Sequence, residues 1–222
     1  TRELMRSARR AHRQGIEPEI RTERQPAARQ PMPVRRSQSA LRPVGGVEET
    51  SLGGIVQSLN RRAISEPGQR TLVTSTGGRA DIAGTGLKIA RALTKAGRSV
   101  VIVDAGSDGA GLAGSTGIAP EPGLREVIAG QASFEDVLAS DDETGLHLIP
   151  AGSPALAAMH IEVGERLQLS LDALAEIYEQ VLVVVSPARL KAMLATLPGD
   201  IDTAVEGVSG GAGGAERLLT QA

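Results

Sequence analysis

The chain has 222 residues, no cysteine, and Phe134 and Tyr178 as its only aromatic side chains. That length holds one α/β domain of about 150 residues plus an added segment; the missing thiols exclude a disulfide framework and thiolate metal sites and fit a reducing cytoplasm, and no apolar run approaches the ~18 residues needed to span a bilayer. The net charge of −2 hides a division: eleven Arg against four Glu give +7 over residues 1–43, whereas the remainder carries −9.

The opening TRELMRSARRAHRQG reads as a short basic helix stopped by Gly15. With neither an initiator Met nor a signal-peptide pattern, the chain is expected to be a piece of a longer protein. From Ile16 to Gly46, prolines interrupt scattered Arg, Gln and Ser, a composition that buries too little apolar surface to fold. Residues 1–46 are therefore expected to form a disordered basic arm and linker. Such an arm suits an anionic membrane surface or nucleic acid, and a plain solvated linker is the simpler reading. Ser37 and Ser39, beside Arg35 and Arg36, are candidates for modification against the plainer reading of inert linker serines. Val47 to Ala63 places Leu52, Ile55, Val56 and Leu59 at helical spacing, which predicts an amphipathic helix docked on the domain.

The domain, expected over residues 47–208, has its first strand at Thr71 to Ser75. A helix is predicted from about Ala83 to Ala96, with Ile89, Ala90 and Leu93 on one face and Gly97 as its stop. Ser99 to Val103 is a continuous β-branched run ending at Asp104, the pattern of a buried parallel strand. Gly106 to Gly117 reads as a loop or mobile segment. Short helices follow at Gly123 to Ala129 and Ser133 to Ser140, the second opened by Ser133 with Asp136 three residues on. Leu146 to Ile149 is the third strand. A long helix from Pro154 to Tyr178 carries Val163, Leu167, Leu171, Leu174 and Tyr178 on one stripe. Val181 to Val185 is the fourth strand, Leu190 to Leu197 is helical, and Ile201 to Val208 is a candidate fifth strand. The end, residues 209–222, reads as a glycine-rich tail with a frayed helical tip. These elements predict a doubly wound, mainly parallel α/β sheet of four or five strands.

Between Thr71 and Asp104 the order strand, glycine loop, helix, strand is that of a phosphate-binding ATPase. In a working phosphate loop, backbone N–H groups cradle the phosphates, a lysine reaches the β/γ oxygens and the following Ser/Thr holds Mg²⁺. Anchoring the register on Arg91 to Leu93 puts Ile82 at the lysine place and Ala83 at the hydroxyl place. A remnant anion site would use Gly77, Gly78, Gly84, Gly86 and the helix N-terminus, with Arg79 as cation; the alternative is that the glycines only let the loop turn. Asp104 suits contact with a nucleophilic water or a ribose, or else it ends a strand and caps the next turn. A dinucleotide fingerprint on Gly84-Thr85-Gly86 fits poorly, since the third glycine place is Ile89 and the pair lies inside the helix. His12, His147 and His160 share no ligand spacing, and His147 is expected to be a half-exposed sheet residue. Glu162, Glu165, Asp141, Asp142 and Glu143 read as solvated charges.

Five short segments in order resemble the cytoplasmic ATP-binding domain of bacterial tyrosine kinases and exopolysaccharide chain-length determinants (polysaccharide co-polymerases), over roughly Leu52 to Val185. VTSTGG is similar to the strand and start of the loop. GRSVVIVDAG, Gly97 to Gly106, resembles the second strand with its additional acidic motif. GLREVIAG, Gly123 to Gly130, resembles Gly-Leu-x-x-Val-Leu-x-Gly. GLHLIPAG, Gly145 to Gly152, resembles Leu-x-x-Leu-Pro-Ala-Gly, and YEQVLVVVSP, Tyr178 to Pro187, resembles the Tyr-Asp strand ending in Asp-x-Pro-Pro. The departures fall on functional positions. Ile82 and Ala83 replace the lysine and hydroxyl; of Asp-x-Asp-x-Arg only Asp104 remains, with Gly106 and Asp108 in the other two places; Val184 stands where a Mg²⁺-orienting Asp belongs. The family's tyrosine cluster is missing, as are the last sheet strands that usually follow.

What the resemblance implies is a truncated, degenerate P-loop domain, a pseudokinase at the cytoplasmic face of a bacterial inner membrane. Within an exopolysaccharide or capsular polysaccharide biosynthesis and export protein, it would regulate chain length or assembly without phosphoryl transfer. Its nucleotide-binding remnant would be Gly77, Gly78, Arg79, Gly84, Thr85 and Asp104, with no catalytic residue, no metal and no resident cofactor, weak binding of ATP with Mg²⁺ staying open. Expected partners are the polysaccharide export and polymerisation machinery, further copies of itself and an anionic membrane surface; nucleic acid is not expected. Two alternatives stay open: an active ATPase or ATP-dependent tyrosine autokinase with a diverged site, and a partition-type ATPase relative whose arm binds DNA.

Overall fold

The computed structural model describes residues 42–43, 51–75, 81–106, 111–158, 163–196, 201, 203–208 and 215–220. Apart from Arg42 and Pro43, the expected basic arm up to Gly46 lies outside them. The β-branched runs become the strands β2 (Gln69–Ser75), β3 (Val100–Asp104) and β6 (Gln180–Val184), buried along their length except at Arg70. Apolar runs of this kind are what strands covered on both faces require. With β5 (His147–Ile149) and β7 (Thr203–Val208) they form a parallel core ordered β7-β2-β6-β3-β5. Short antiparallel additions complete an eight-stranded sheet: β4 (Ala139–Ser140) on β5, β8 (Ala215–Thr220) on β7, and β1 (Arg42–Pro43) on β8.

Because side chains alternate across a strand, the sheet divides its residues between two apolar layers. On one face Val73, Ile102, Leu182, Val184 and Val205 meet α1 (Leu52–Ser65) and α2 (Ile82–Lys95) through Ile55, Leu59, Leu87, Ile89 and Leu93. On the other face Leu72, Val101, Val103, Val181 and Val183 meet α4 (Leu124–Ala129), α6 (Val163–Ala175) and α7 (Pro187–Thr196) through Leu124, Val127, Leu167, Leu171, Leu174 and Met193. Phe134, in the single-turn α5 (Phe134–Val137), is fully buried in this second layer. Aliphatic side chains supply nearly all the packing, each buried Leu, Ile or Val contributing about 1.5–3 kcal/mol.

The sheet is wider than expected at both edges. Ala215–Thr220, read from sequence as a frayed helical tip, is a strand paired with β7 from Thr203↔Thr220 to Val208↔Ala215. The alternation in AERLLT is too short to separate the two conformations locally, and the free edge of β7 decides it. Part of the Gly106 to Gly117 stretch is helical, as α3 (Gly111–Thr116). The long helix expected from Pro154 begins instead as a 3₁₀ turn, Pro154–Ala158, and ends at Ala175, so Tyr178 lies beyond it.

Two polar residues also sit deeper than their sequence pattern suggests. His147 is buried, with Nδ1 2.7 Å from the Tyr178 hydroxyl and the rings edge to face. Asp141 is buried rather than solvated, and Arg91 binds both its oxygens at 3.0 and 2.6 Å. Glu143, exposed as expected, reaches the same guanidinium and Lys95. In each case a partner distant in sequence replaces water.

Candidate functional site

In a doubly wound sheet ligands bind outside the carboxyl ends of the strands. Here that edge is formed by Ser75 of β2, Val184 of β6 and Asp104 of β3, with the start of α2 above β2 and β6. Ile82, expected at the lysine place, is the first residue of α2. Gly77, Gly78 and Arg79 lie outside the described residues. Gly84 and Thr85 are in the first turn of α2, and Asp104 ends β3 at the same edge.

The chemistry at the key positions is apolar. Ile82 and Ala83 are 8% and 6% exposed, Val184 is fully buried, and all three belong to the one layer that holds Val73, Leu87 and Ile102. Gly86 lets α2 lie close to the sheet, since a Cβ there would stand 2.9 Å from Val184 Cγ2 and 3.2 Å from Ile102 Cδ1.

The N-terminus of α2 already holds an anion of its own. Asp81 is the N-cap: its Oδ1 accepts from the Gly84 N–H at 2.8 Å and its carbonyl accepts from Thr85 N–H at 3.0 Å. A Cβ on Gly84 would overlap the Asp81 carboxylate, so this glycine's lack of a side chain makes room for the cap. Sequence reading passed over Asp81, although an Asp directly before the first periodic apolar residue is a recognised helix-start signal. A carboxylate at this place neutralises the same amides and dipole that would attract a phosphate.

Asp104 is 2% exposed and has backbone donors on both oxygens, Gly106 N–H on Oδ1 at 2.9 Å and Leu112 N–H on Oδ2 at 3.1 Å. It thus ends β3 and ties the following turn to α3. ATP with Mg²⁺, the cofactor that such a frame implies, finds no fitting side chain at three of these positions. Ile82, Ala83 and Val184 offer no cation, hydroxyl or carboxylate, and among the described residues no group of three or more His, Asp or Glu is arranged to hold a metal.

Two further segments singled out in the sequence meet in space. Gly123 to Gly130 and Gly145 to Gly152 are joined by Glu126, which accepts from Gly123 N–H at 2.7 Å and Ser153 N–H at 2.9 Å. Arg125 donates to the Gly152 carbonyl at 2.6 Å, and Leu124 N–H to that of Pro150 at 2.8 Å. Gly152 has φ +81°, a conformation that side chains disfavour. The only tyrosine, Tyr178, is 3% exposed, and burial pushes its hydroxyl pKa well above the ordinary value. Burial raises the Asp141 carboxyl, but the hydrogen bonds of Arg91 and Thr144 with the Arg91 charge outweigh it and hold the group below its usual range.

No protein-family model matches the chain, and no curated protein matches it by sequence. Solved structures do match. The kinase domain of the Escherichia coli tyrosine kinase ETK superposes with a TM-score of 0.58 at 17% identity, over 69% of this chain and 60% of that one. The chimerical protein CapA2B2 gives 0.57 at 19%, over 71% and 69%. Cobyrinic acid a,c-diamide synthase from Mycobacterium smegmatis, solved with a bound ATP analog and magnesium, gives 0.51 at 27%, over 63% and 59%. The chain therefore has the fold of bacterial tyrosine kinase domains and P-loop ATPases, and it spans less than two thirds of the E. coli kinase domain's own length.

Proposed function

We propose that this chain is a kinase-like module that performs no phosphoryl transfer, within a protein of exopolysaccharide or capsular polysaccharide biosynthesis and export. The observation that carries the reading is the packing of Ile82, Ala83 and Val184 into one apolar layer. Phosphoryl transfer runs on positioned positive charge and metal, and loss of such groups costs orders of magnitude in rate. Three positions that would supply them instead hold α2 on the sheet. The burial of Tyr178 supports the reading further, because the chain's own tyrosine is closed to modification while folded.

On this reading the domain regulates chain length or assembly at the cytoplasmic face of the inner membrane, through contacts with neighbouring copies and with the export and polymerisation machinery. The arm of +7 would add attraction to anionic lipid, weakening as salt rises. Among the described residues no helix is long and apolar enough to cross a membrane. The likeness to a synthase solved with an ATP analog and magnesium supports the second reading, a diverged but working nucleotide site. Phosphate release from Mg²⁺·ATP by the purified chain tests the two against each other. Background release supports the proposal, and saturable turnover supports the alternative.

A further inference from the structure

The two helices on the Asp81 side of the sheet carry charge of one sign. α1 contains Arg61 and Arg62, α2 contains Lys88, Arg91 and Lys95, and neither helix contains an acidic residue. The acids that border them are taken up at the helix ends: Gln69 Nε2 donates to Glu66 at 3.3 Å, and Asp81 is the cap of α2. Arg91 and Lys95 are tied to the turn after β4, Arg91 to Asp141 and both to Glu143. Arg61, Arg62 and Lys88 form no ion pair among the described residues.

Burial fixes which way these side chains point. Ile55, Leu59 and Ala63 of α1 are buried, and the turn of about 100° per residue puts Gln57, Arg61 and Ile64 on the opposite side, where all three are exposed. In α2 the same geometry turns Lys88 and Lys95 outward, away from the buried Ile89, Ala90 and Leu93. Both helices pack on one apolar layer and against each other, so their outer sides form one surface. Ile64 stands on it 59% exposed, the only large hydrophobic side chain left exposed among the described residues. A basic surface that holds an aliphatic side chain suits the boundary of an anionic bilayer, where cations meet headgroups and an apolar group enters the acyl region.

We infer that, given the proposed place of the domain at the inner membrane, the outer surface of α1 and α2 docks on anionic lipid through Arg61, Ile64 and Lys88. The sequence continues the charge: only Val44 to Ser51, with Glu48 and Glu49, separates α1 from the arm of +7. Arm and surface thus meet one bilayer from adjoining stretches of chain. A second copy is the poorer partner, because the helices of the other face mix signs, with Arg125 beside Glu126 in α4 and Arg166 beside Glu165 in α6. Nucleic acid would use the cations but gain nothing from Ile64, and the chain's two aromatic side chains, Phe134 and Tyr178, are buried and stack on no base.

Co-sedimentation of the full chain with vesicles of phosphatidylglycerol and phosphatidylcholine in equal parts, and of phosphatidylcholine alone, tests the surface. The parent is expected to bind the anionic vesicles only. Arg61→Glu with Lys88→Glu is expected to weaken binding by roughly tenfold or more, and Ile64→Gln by about threefold or more. All three positions are exposed, so melting temperatures are expected to stay at the parent's. Added salt is expected to shrink the effect of the charge reversal and to leave that of Ile64→Gln. Binding that both variants leave unchanged assigns the attraction to the arm and overturns the surface, with the membrane reading intact. Failure of the parent to bind anionic vesicles overturns both. Tighter binding to a single-stranded oligonucleotide than to vesicles, lost on charge reversal and kept in Ile64→Gln, assigns the surface to nucleic acid and overturns the inference. Self-association that the charge reversal abolishes while vesicle binding stays unchanged assigns it to a second copy, with the same result.

Discussion

Asp81 accepts the amide proton of Gly84 at 2.8 Å, so the first turn of α2 is closed by the protein's own carboxylate. Removing a cap of this kind costs about 1 kcal/mol. Asp81→Ala is therefore expected to lower stability by that order in chemical denaturation. Gly84→Ala should cost at least as much, because the new Cβ displaces the same carboxylate.

The cap also bears on rebuilding a nucleotide site. Ile82→Lys with Ala83→Thr would supply the lysine and hydroxyl that a working phosphate loop uses, but both positions are buried in an apolar layer and Asp81 still holds the Gly84 amide. The double variant is expected to lose stability and to gain little ATP affinity. Adding Asp81→Gly should be what produces measurable binding in calorimetry. Tight binding by the double variant alone would show that Asp81 is no barrier.

Gly86 and Val184 should be coupled. Gly86→Ala places a methyl 2.9 Å from Val184 Cγ2 and is expected to destabilise by about 1–3 kcal/mol. In a Val184→Ala background the added cost should shrink, giving a coupling of at least ~0.5 kcal/mol in a double-mutant cycle. Additive effects would mean that α2 shifts away from β6 instead.

The Asp141 carboxyl has its pKa lowered on folding, so the folded state holds fewer of its protons than the unfolded chain does near the ordinary value of about 3.9. Its contribution to stability is present above that value and is lost as pH falls through the depressed folded pKa. Asp141→Asn should therefore flatten the acid side of the stability profile below about pH 4. Tyr178 behaves in the opposite sense. Its pKa is raised, so its contribution is present below about pH 10 and declines above it as the unfolded chain ionises. Ultraviolet titration of the folded protein should show no tyrosinate at that pH.

The parallel core was legible because its signal is local. VVIVD and QVLVV are continuous apolar runs, and Gly97 and Pro187 mark where the chain turns. The apolar character of Ile82, Ala83 and Val184 was equally legible, and the structure buries all three. What escaped depends on partners distant in the chain. β8 exists because β7 offers an edge, Asp141 is buried because Arg91 reaches it from fifty residues away, and His147 is buried because Tyr178 supplies a hydroxyl.

Incubating the purified chain with Mg²⁺ and ATP labelled at the γ-phosphate measures the central claim most directly, reading released phosphate and protein-bound label together. The account predicts release at the no-protein background and no label on Tyr178. Saturable release that vanishes in an Arg79→Ala variant, or label on tyrosine in the folded chain, would contradict it.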